Sequence, residues 1–294
     1  MKGFVQQLIR QIARIAGLVL ITGLAAGVLV RYSPGALVDE RELNQRLGEE
    51  SLAALRSDRA KNASVATYAF AYFKGLAHGD LGYSESNNAP IAALIADRGP
   101  ATLRELAAGL AGGWLIGLGV AISVGRFRRA SLWDAGSNAI AGLVLSLPAA
   151  LLAYLCFAAG GLTAGAASGA VLVIVLAPRI FRFARNLVVQ AYGSSHVEMA
   201  RARGVREWSI LWSHVLPDAR PQLLALLASS VSMGIGAAIP VEAICGAPGL
   251  GRLAWQAATS RDLPLLMNLT MLIALVTILT MMFSEKLTAT QREV

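Results

Sequence analysis

The sequence predicts an all-α, polytopic membrane protein with six transmembrane helices, and three observations lead there. Charged residues make up only 15% of a chain that is 55% hydrophobic, with a mean hydropathy of +0.57. A soluble domain usually carries about 25% charged residues. Five runs, at 15–30, 106–124, 135–178, 221–241 and 263–284, contain no Asp, Glu, Lys or Arg. The third is 44 residues long, about twice the roughly 20 that one crossing needs. The chain then divides into an N-terminus and first span (1–30), an extracytoplasmic region (31–101), a five-helix core (102–284) with a cytoplasmic loop at 186–220, and a tail (285–294).

The first span follows Lys2, Arg10 and Arg14, the arrangement of a signal peptide. No small-x-small cleavage site follows it, since Arg31-Tyr32-Ser33-Pro34 comes next, so it is read as an uncleaved helix. The outer region after it mixes helix formers at Asp39–Arg59 with the Gly-rich HGDLGYS at 78–84. At roughly 70 residues it far exceeds an ordinary connection, and it is expected to fold over the outer mouth. The second span carries GLAGGW at 109–114, small residues that let helix backbones approach closely. The 44-residue run reads as a hairpin of two spans, roughly 135–160 and 165–185, turning at Gly160-Gly161 and Gly165. Pro148 and Pro178 fall inside or at the end of these helices, where neighbours can re-satisfy the backbone. Spans five and six follow at 221–241 and 263–284.

Orientation follows from the cations at the span ends. With the N-terminus inside, the inner segments hold 15 Lys/Arg against six Asp/Glu, and the outer segments 11 against 12. The short loops decide it: Arg126, Arg128 and Arg129 are inside, and the turn at 160–165 has no charge. Both termini are expected in the cytoplasm. The net charge of +8 is thus a topology signal, and no nucleic-acid partner is expected. Cys156 and Cys245 form no CxxC and read as buried thiols.

The inner segment at 186–220 is the most informative. Ser195-x-x-Glu198 has the form of a capping box, and a short helix from it would end at Gly204. A second helix would run to Leu216, before Pro217, with Val205, Trp208, Leu211, Trp212 and Val215 making one greasy face. Two readings stand on pattern alone: a rigid cytoplasmic protrusion, or an amphipathic element resting on headgroups.

Residues Glu198-Met-Ala200-Arg201-Ala202-Arg-Gly204, with Leu216-Pro217 eighteen and nineteen places after the Glu, resemble the EAA loop of binding-protein-dependent ABC importer permeases. ARARG followed by SHVLPDARPQ is similar to the dipeptide/oligopeptide/nickel branch. So are GDLGYS (79–84) with PATLREL (100–106), and PVEAICGAPGLGRLAWQAATSRDLPLL (240–266). Met199 replaces the usual Ala, and the chain ends FSEKLTATQREV where the family closes with Tyr and Asp-Pro-Arg. The resemblance implies a type I ABC importer permease fold in the bacterial inner membrane, forming half of a translocation path. Its partners would be a second, homologous permease (a heterodimer), two cytoplasmic ATPase subunits and an extracytoplasmic binding protein that selects the solute. Glu198, Ala200, Arg201, Ala202, Gly204, Leu216 and Pro217 would then form the ATPase-coupling loop. The chain has no G-x-x-x-x-G-K-[ST]. ATP and magnesium are therefore expected on the partner ATPase, with no cofactor, metal or catalysis on this chain.

Glu242 lies beside Pro240 in span five. An intramembrane acid faces a cavity or a partner, which suggests a translocation-path or gate-stabilising role, with a loop carboxylate as the alternative. Pro248, Gly249 and Gly251, with Gly246, read as a tight turn near that gate. Arg179, Arg182 and Arg185 read as topology anchors, and His78, His196 and His214 lack metal spacing. An ion-coupled secondary transporter would want ionisable groups in several spans and an internal repeat. Five of the six spans lack charge and no repeat is visible. A membrane-anchored sensor would need an output domain larger than the inner loop.

Overall fold

The structure is a computed structural model and describes residues 2–31, 72, 74–76, 78–126 and 131–289. The stretch Asp39–Arg59, Arg128, Arg129 and residues 290–294 of the tail lie outside the described residues. The helices are α1 (Lys2–Arg31), α2 (Ile91–Arg126), α3 (Ser131–Ser146), α4 (Ala149–Ala158), α5 (Ala164–Tyr192), α6 (Ser195–Ala202), α7 (Glu207–Ile210), α8 (Leu216–Cys245), α9 (Leu250–Thr259) and α10 (Leu263–Ala289). A π-helical turn, Leu211–Val215, joins α7 to α8. One small antiparallel pair precedes α2, with β1 (Tyr83–Ser84) against β2 (Ala89–Pro90) and Ser84 opposite Ala89.

Four helical stretches among the described residues are long and apolar enough to cross a membrane: Ile91–Gly125, Ala164–Tyr192, Glu207–Cys245 and Leu263–Ser284. Leu132–Ser146 and Ala149–Ala158 pass together but meet at 94°. The span expected at 135–160 is therefore broken into two helices. Pro148 has no N–H to donate and its ring crowds the preceding turn, so α4 starts afresh behind it, with Pro148 at its N-cap. In α1 the apolar stretch is Ala13–Ala26, shorter than a full crossing.

The chain forms two compact units, the first from the described residues of Met1–Asp97 and Ala254–Leu275, the second from Arg98–Leu253 and Val276–Val294. In the first unit, Gly23 of α1 lies against Met271, whose Cγ is 2.7 Å from where a Cβ would stand.

In the second unit α5 is the central helix. Its upper part packs Val171, Leu172 and Val175 with Leu152 and Ala153 of α4 and Val241 and Cys245 of α8. Its middle packs Leu176, Ile180 and Phe181 with Ala121 of α2, Ala141 of α3 and Leu226 of α8. Its end packs Val188 and Tyr192 with Val197 and Ala200 of α6 and Ile210, Leu211 and Val215 beyond. Glycines let α2 lie flush on α5: a Cβ at Gly109 would be 2.5 Å from Leu172 Cβ, and one at Gly117 would be 2.7 Å from the Ala177 carbonyl. Asp134 in the first turn of α3 accepts Arg185 Nε of α5 at 2.6 Å. Arg185 is therefore a helix–helix strut as well as a cation at a span end.

Candidate functional sites

The first site is the α6–α7 corner. α6 stops at Gly204, which takes φ +77°, a left-handed conformation open to residues without a Cβ at little cost. Gly204 N–H donates to Arg201 O at 3.0 Å and Val205 N–H to Ala200 O at 3.2 Å, the paired bonds of a Schellman ending. A brace crosses this corner. Arg201 Nε donates to Glu207 Oε1 at 2.7 Å and Nη2 to Oε2 at 3.2 Å, while the guanidinium lies over Tyr192, 6.0 Å from the ring centre. The Glu207 bonds are the main cause of a raised Arg201 pKa, so the guanidinium keeps its charge. Ala200 is buried, whereas Glu198, Met199, Ala202 and Gly204 are exposed. α6 is thus anchored by one face and presents the other.

Three expectations for this corner need correction. The Ser195 capping box does not form. The N-cap is Ser194 with no side-chain cap bond, because its hydroxyl donates back to Ala191 O at 2.7 Å. The second helix does not end at Leu216. Pro217 sits in the first turn of α8, directly after the π turn, and the chain runs on as the span. The greasy face is also split. The π turn holds one extra residue per turn and rotates the pattern, so Ile210, Leu211 and Val215 are buried while Trp208 and Trp212 are 59% and 67% exposed.

The second site is built around Glu242, fully buried in α8. α8 ends at Gly246, φ +73°, and the turn through Ala247, Pro248 and Gly249 brings the start of α9 back onto the carboxylate. Glu242 Oε2 accepts the Gly251 N–H at 2.7 Å and the Arg252 N–H at 3.3 Å. The Leu250 N–H donates to Thr102 Oγ1 of α2 at 2.7 Å. The free donors of a helix N-terminus are thus satisfied from two other helices, and the carboxylate lies where the helix dipole favours negative charge. There is no space to spare. A Cβ at Gly249 would overlap the Glu242 carboxylate and stand 2.5 Å from Thr102 Oγ1, and one at Gly251 would stand 2.8 Å from the Ala238 carbonyl. Pro248 is exposed at the tip of the turn.

Glu105, on α2, is the residue that the sequence reading missed. It is 6% exposed, and its Oε1 would stand 3.2 Å from a Cβ at Gly165 of α5. The signal was present: Glu105 sits one residue before a charge-free run and three after Thr102, on the same helix face.

The third site, in the first unit, joins two segments that the sequence reading kept apart. Asp262 is 2% exposed. Its Oδ2 accepts Ser84 Oγ at 2.6 Å, Ser86 Oγ at 2.7 Å and the Ser86 N–H at 3.0 Å. Its Oδ1 accepts the Leu265 N–H at 3.1 Å and so caps α10. Asn268 Nδ2 donates to Leu81 O at 2.9 Å. GDLGYS and SRDLP are thus two halves of one clamp. Among the described residues, no three His, Cys, Asp or Glu are grouped to hold a metal. His196 and His214 stack, with ring centres 6.2 Å apart.

Comparison with known proteins establishes the family and the fold. A putative peptide permease protein of Brucella suis biovar 1 is 29% identical over 282 residues, covering 87% of this chain and 88% of that protein. The oligopeptide transport system permease protein OppB of Salmonella typhimurium is 28% identical over 262 residues, covering 83% and 84%. Among solved structures, the MetNI methionine ABC transporter in an inward-facing conformation matches 66% of this chain and 96% of its own, with a TM-score of 0.56 at 23% identity. An amino acid ABC transporter matches 66% and 90%, with a TM-score of 0.51 at 20% identity. These two show the fold. Residues 114–288, more than half the chain, match one family throughout. The chain belongs to the family of binding-protein-dependent transport system inner membrane components.

Proposed function

We propose that this permease component of an ABC importer forms half of the path for a peptide-like solute, and that α6 and its Gly204 corner dock a separate ATPase. One observation carries the coupling part. α6 is fixed by Val197 and Ala200 to the end of α5 while Glu198, Met199 and Ala202 face outward. A short helix anchored on one side and presented on the other transmits a push to the span beneath it as a rigid body. The π turn passes the same push into α8 without a break in the chain.

The remaining assignments follow from this reading. An extracytoplasmic binding protein delivers the solute, and the partner permease is a second, related chain. The solute class rests on relatives named as peptide and oligopeptide permeases. ATP and magnesium are held by the ATPase, because this sequence has no phosphate loop. The second site acts at the gate. Glu242, with Gly249 and Gly251, fixes the start of α9 against α8, and Pro248 marks the outer tip. Both termini are cytoplasmic.

The test is reconstitution. The isolated chain is expected to turn over no ATP. With its partner permease and ATPases in proteoliposomes, hydrolysis is expected, and binding protein loaded with peptide should increase it and drive peptide uptake. Nucleotide turnover by the pure chain, or full uptake without any ATPase, would falsify the proposal.

A further inference from the structure

The second unit holds a groove that neither the coupling corner nor the Glu242 site uses. It runs between α2 and α8 with a volume of about 330 Å³, lined by Trp114, Trp212, Leu216, Arg220, Leu223 and Leu227 among others. Leu216, Arg220, Leu223 and Leu227 recur at three- and four-residue steps and so share one face of α8. The π turn adds Trp212, whose ring is 67% exposed.

The depth of the groove follows from the sequence. The run 221–241 contains no Asp, Glu, Lys or Arg and alone supplies the roughly 20 residues that one crossing needs. Arg220 therefore stands where hydrocarbon gives way to headgroups. Leu223 and Leu227 lie on the hydrocarbon side of it. Trp212 lies on the other side, in the interfacial zone where indole rings collect.

The charge in this groove has no counter-charge. Arg185 is paired with Asp134 and Arg201 with Glu207, whereas Arg220 has no such partner among the described residues. Asp218 is exposed but stands two places away, on a different face of the helix. Guanidinium and indole groups are donors only, so the side chains here offer a ligand no acceptor. The phosphate and ester oxygens of a phospholipid are the converse, and a guanidinium fork suits phosphate.

We propose that this groove seats one anionic glycerophospholipid, with its phosphate on Arg220 and one acyl chain along Leu223 and Leu227 against Trp114. A basic pocket between membrane helices is a recognised seat for acidic headgroups. The volume is near the low end of the roughly 300–1,000 Å³ of small-molecule sites, so one chain enters and the other stays in the bilayer. A transported peptide fits less well, because its amino terminus would meet no acceptor side chain. This site goes beyond the coupling function. It depends neither on the solute nor on which way the chain is oriented.

The experiment uses the assembled importer in phosphatidylcholine nanodiscs doped with phosphatidylglycerol that carries a photoreactive group on one acyl chain. After illumination, labelled peptides are located by mass spectrometry. One cation at a headgroup gives about a fivefold preference for an anionic lipid. Labelling of 216–227 and of Trp114 is expected to exceed, by that factor, labelling by photoreactive phosphatidylcholine at the same mole fraction. Unlabelled phosphatidylglycerol should compete it away, and unlabelled phosphatidylcholine should not. Arg220→Gln should abolish the preference in these two segments and leave labelling elsewhere on the chain unchanged. Equal labelling by the two lipids overturns the site, as does a preference that Arg220→Gln retains, which would report only general surface charge. Absence of labelling in the groove also overturns it and means that a protein partner covers this face. If Arg220→Gln fails to assemble, the competition in the unmodified importer decides alone, and labelling that phosphatidylglycerol does not saturate overturns the site.

Discussion

Gly249 and Gly251 are where a single carbon decides the second site. At Gly249 the obstacle is the Glu242 carboxylate, held by two N–H groups. At Gly251 it is the backbone of Ala238 and Ile239, which has no rotamer to change. Gly236, on the same α8, has nothing within 4 Å of its Cβ position. Gly251→Ala is therefore expected to destabilise by about 1–3 kcal/mol, the usual cost of overpacking. Gly236→Ala is expected to be neutral or slightly stabilising. Matched expression and the unfolding midpoint of the purified permease check this, and equal behaviour of the two variants would sink it. The glycines were legible in the sequence as a tight turn. The buried carboxylate at 105 was harder to place, because nothing in a linear pattern says that Glu105 meets α5 at Gly165, 60 positions later.

Among the elements, α6 and its corner respond to substitution in a separable way. Gly204 has no atom within 4 Å of its Cβ position, so a side chain there meets only its own backbone and whatever docks on it. The left-handed conformation costs an L-residue about 1–2 kcal/mol and a β-branched one more. Gly204→Val is expected to reach the membrane at the normal level and to lose transport and ATPase co-purification, with Gly204→Ala intermediate. Normal transport by Gly204→Val, or loss through degradation alone, would remove the support for coupling. The stop at Gly204 was readable because a glycine after a short helical pattern is a local signal. The π turn was not readable. It preserves the three- and four-residue spacing on paper while rotating Trp208 and Trp212 outward, and Pro217 tells equally of an ending or a beginning.

At the level of the whole chain, the count of spans and their direction rest on different evidence. Four long helices and one bent pair are seen among the described residues, and direction rests on where the Arg residues fall. The bend at Pro148 escaped the sequence reading because a charge-free run fixes apolar length but not axis. Single cysteines placed at exposed Asn88 and Met199, after replacing Cys156 and Cys245, test direction with a membrane-impermeant thiol reagent in intact cells. Position 88 is expected to label and position 199 to stay protected until the membrane is opened. The opposite pattern would invert the topology and take the coupling assignment with it.

The Asp262 clamp has a consequence in time. Ser84 and Ser86 meet a carboxylate 178 and 176 positions later. At about 5–20 residues added per second, the ribosome reaches Asp262 roughly 9–35 s after them. The β1–β2 hairpin therefore leaves the insertion machinery well before its stabilising partner exists. The Asp262 clamp is consequently among the last contacts of the protein to close during biogenesis, whatever the order in which the spans enter the bilayer.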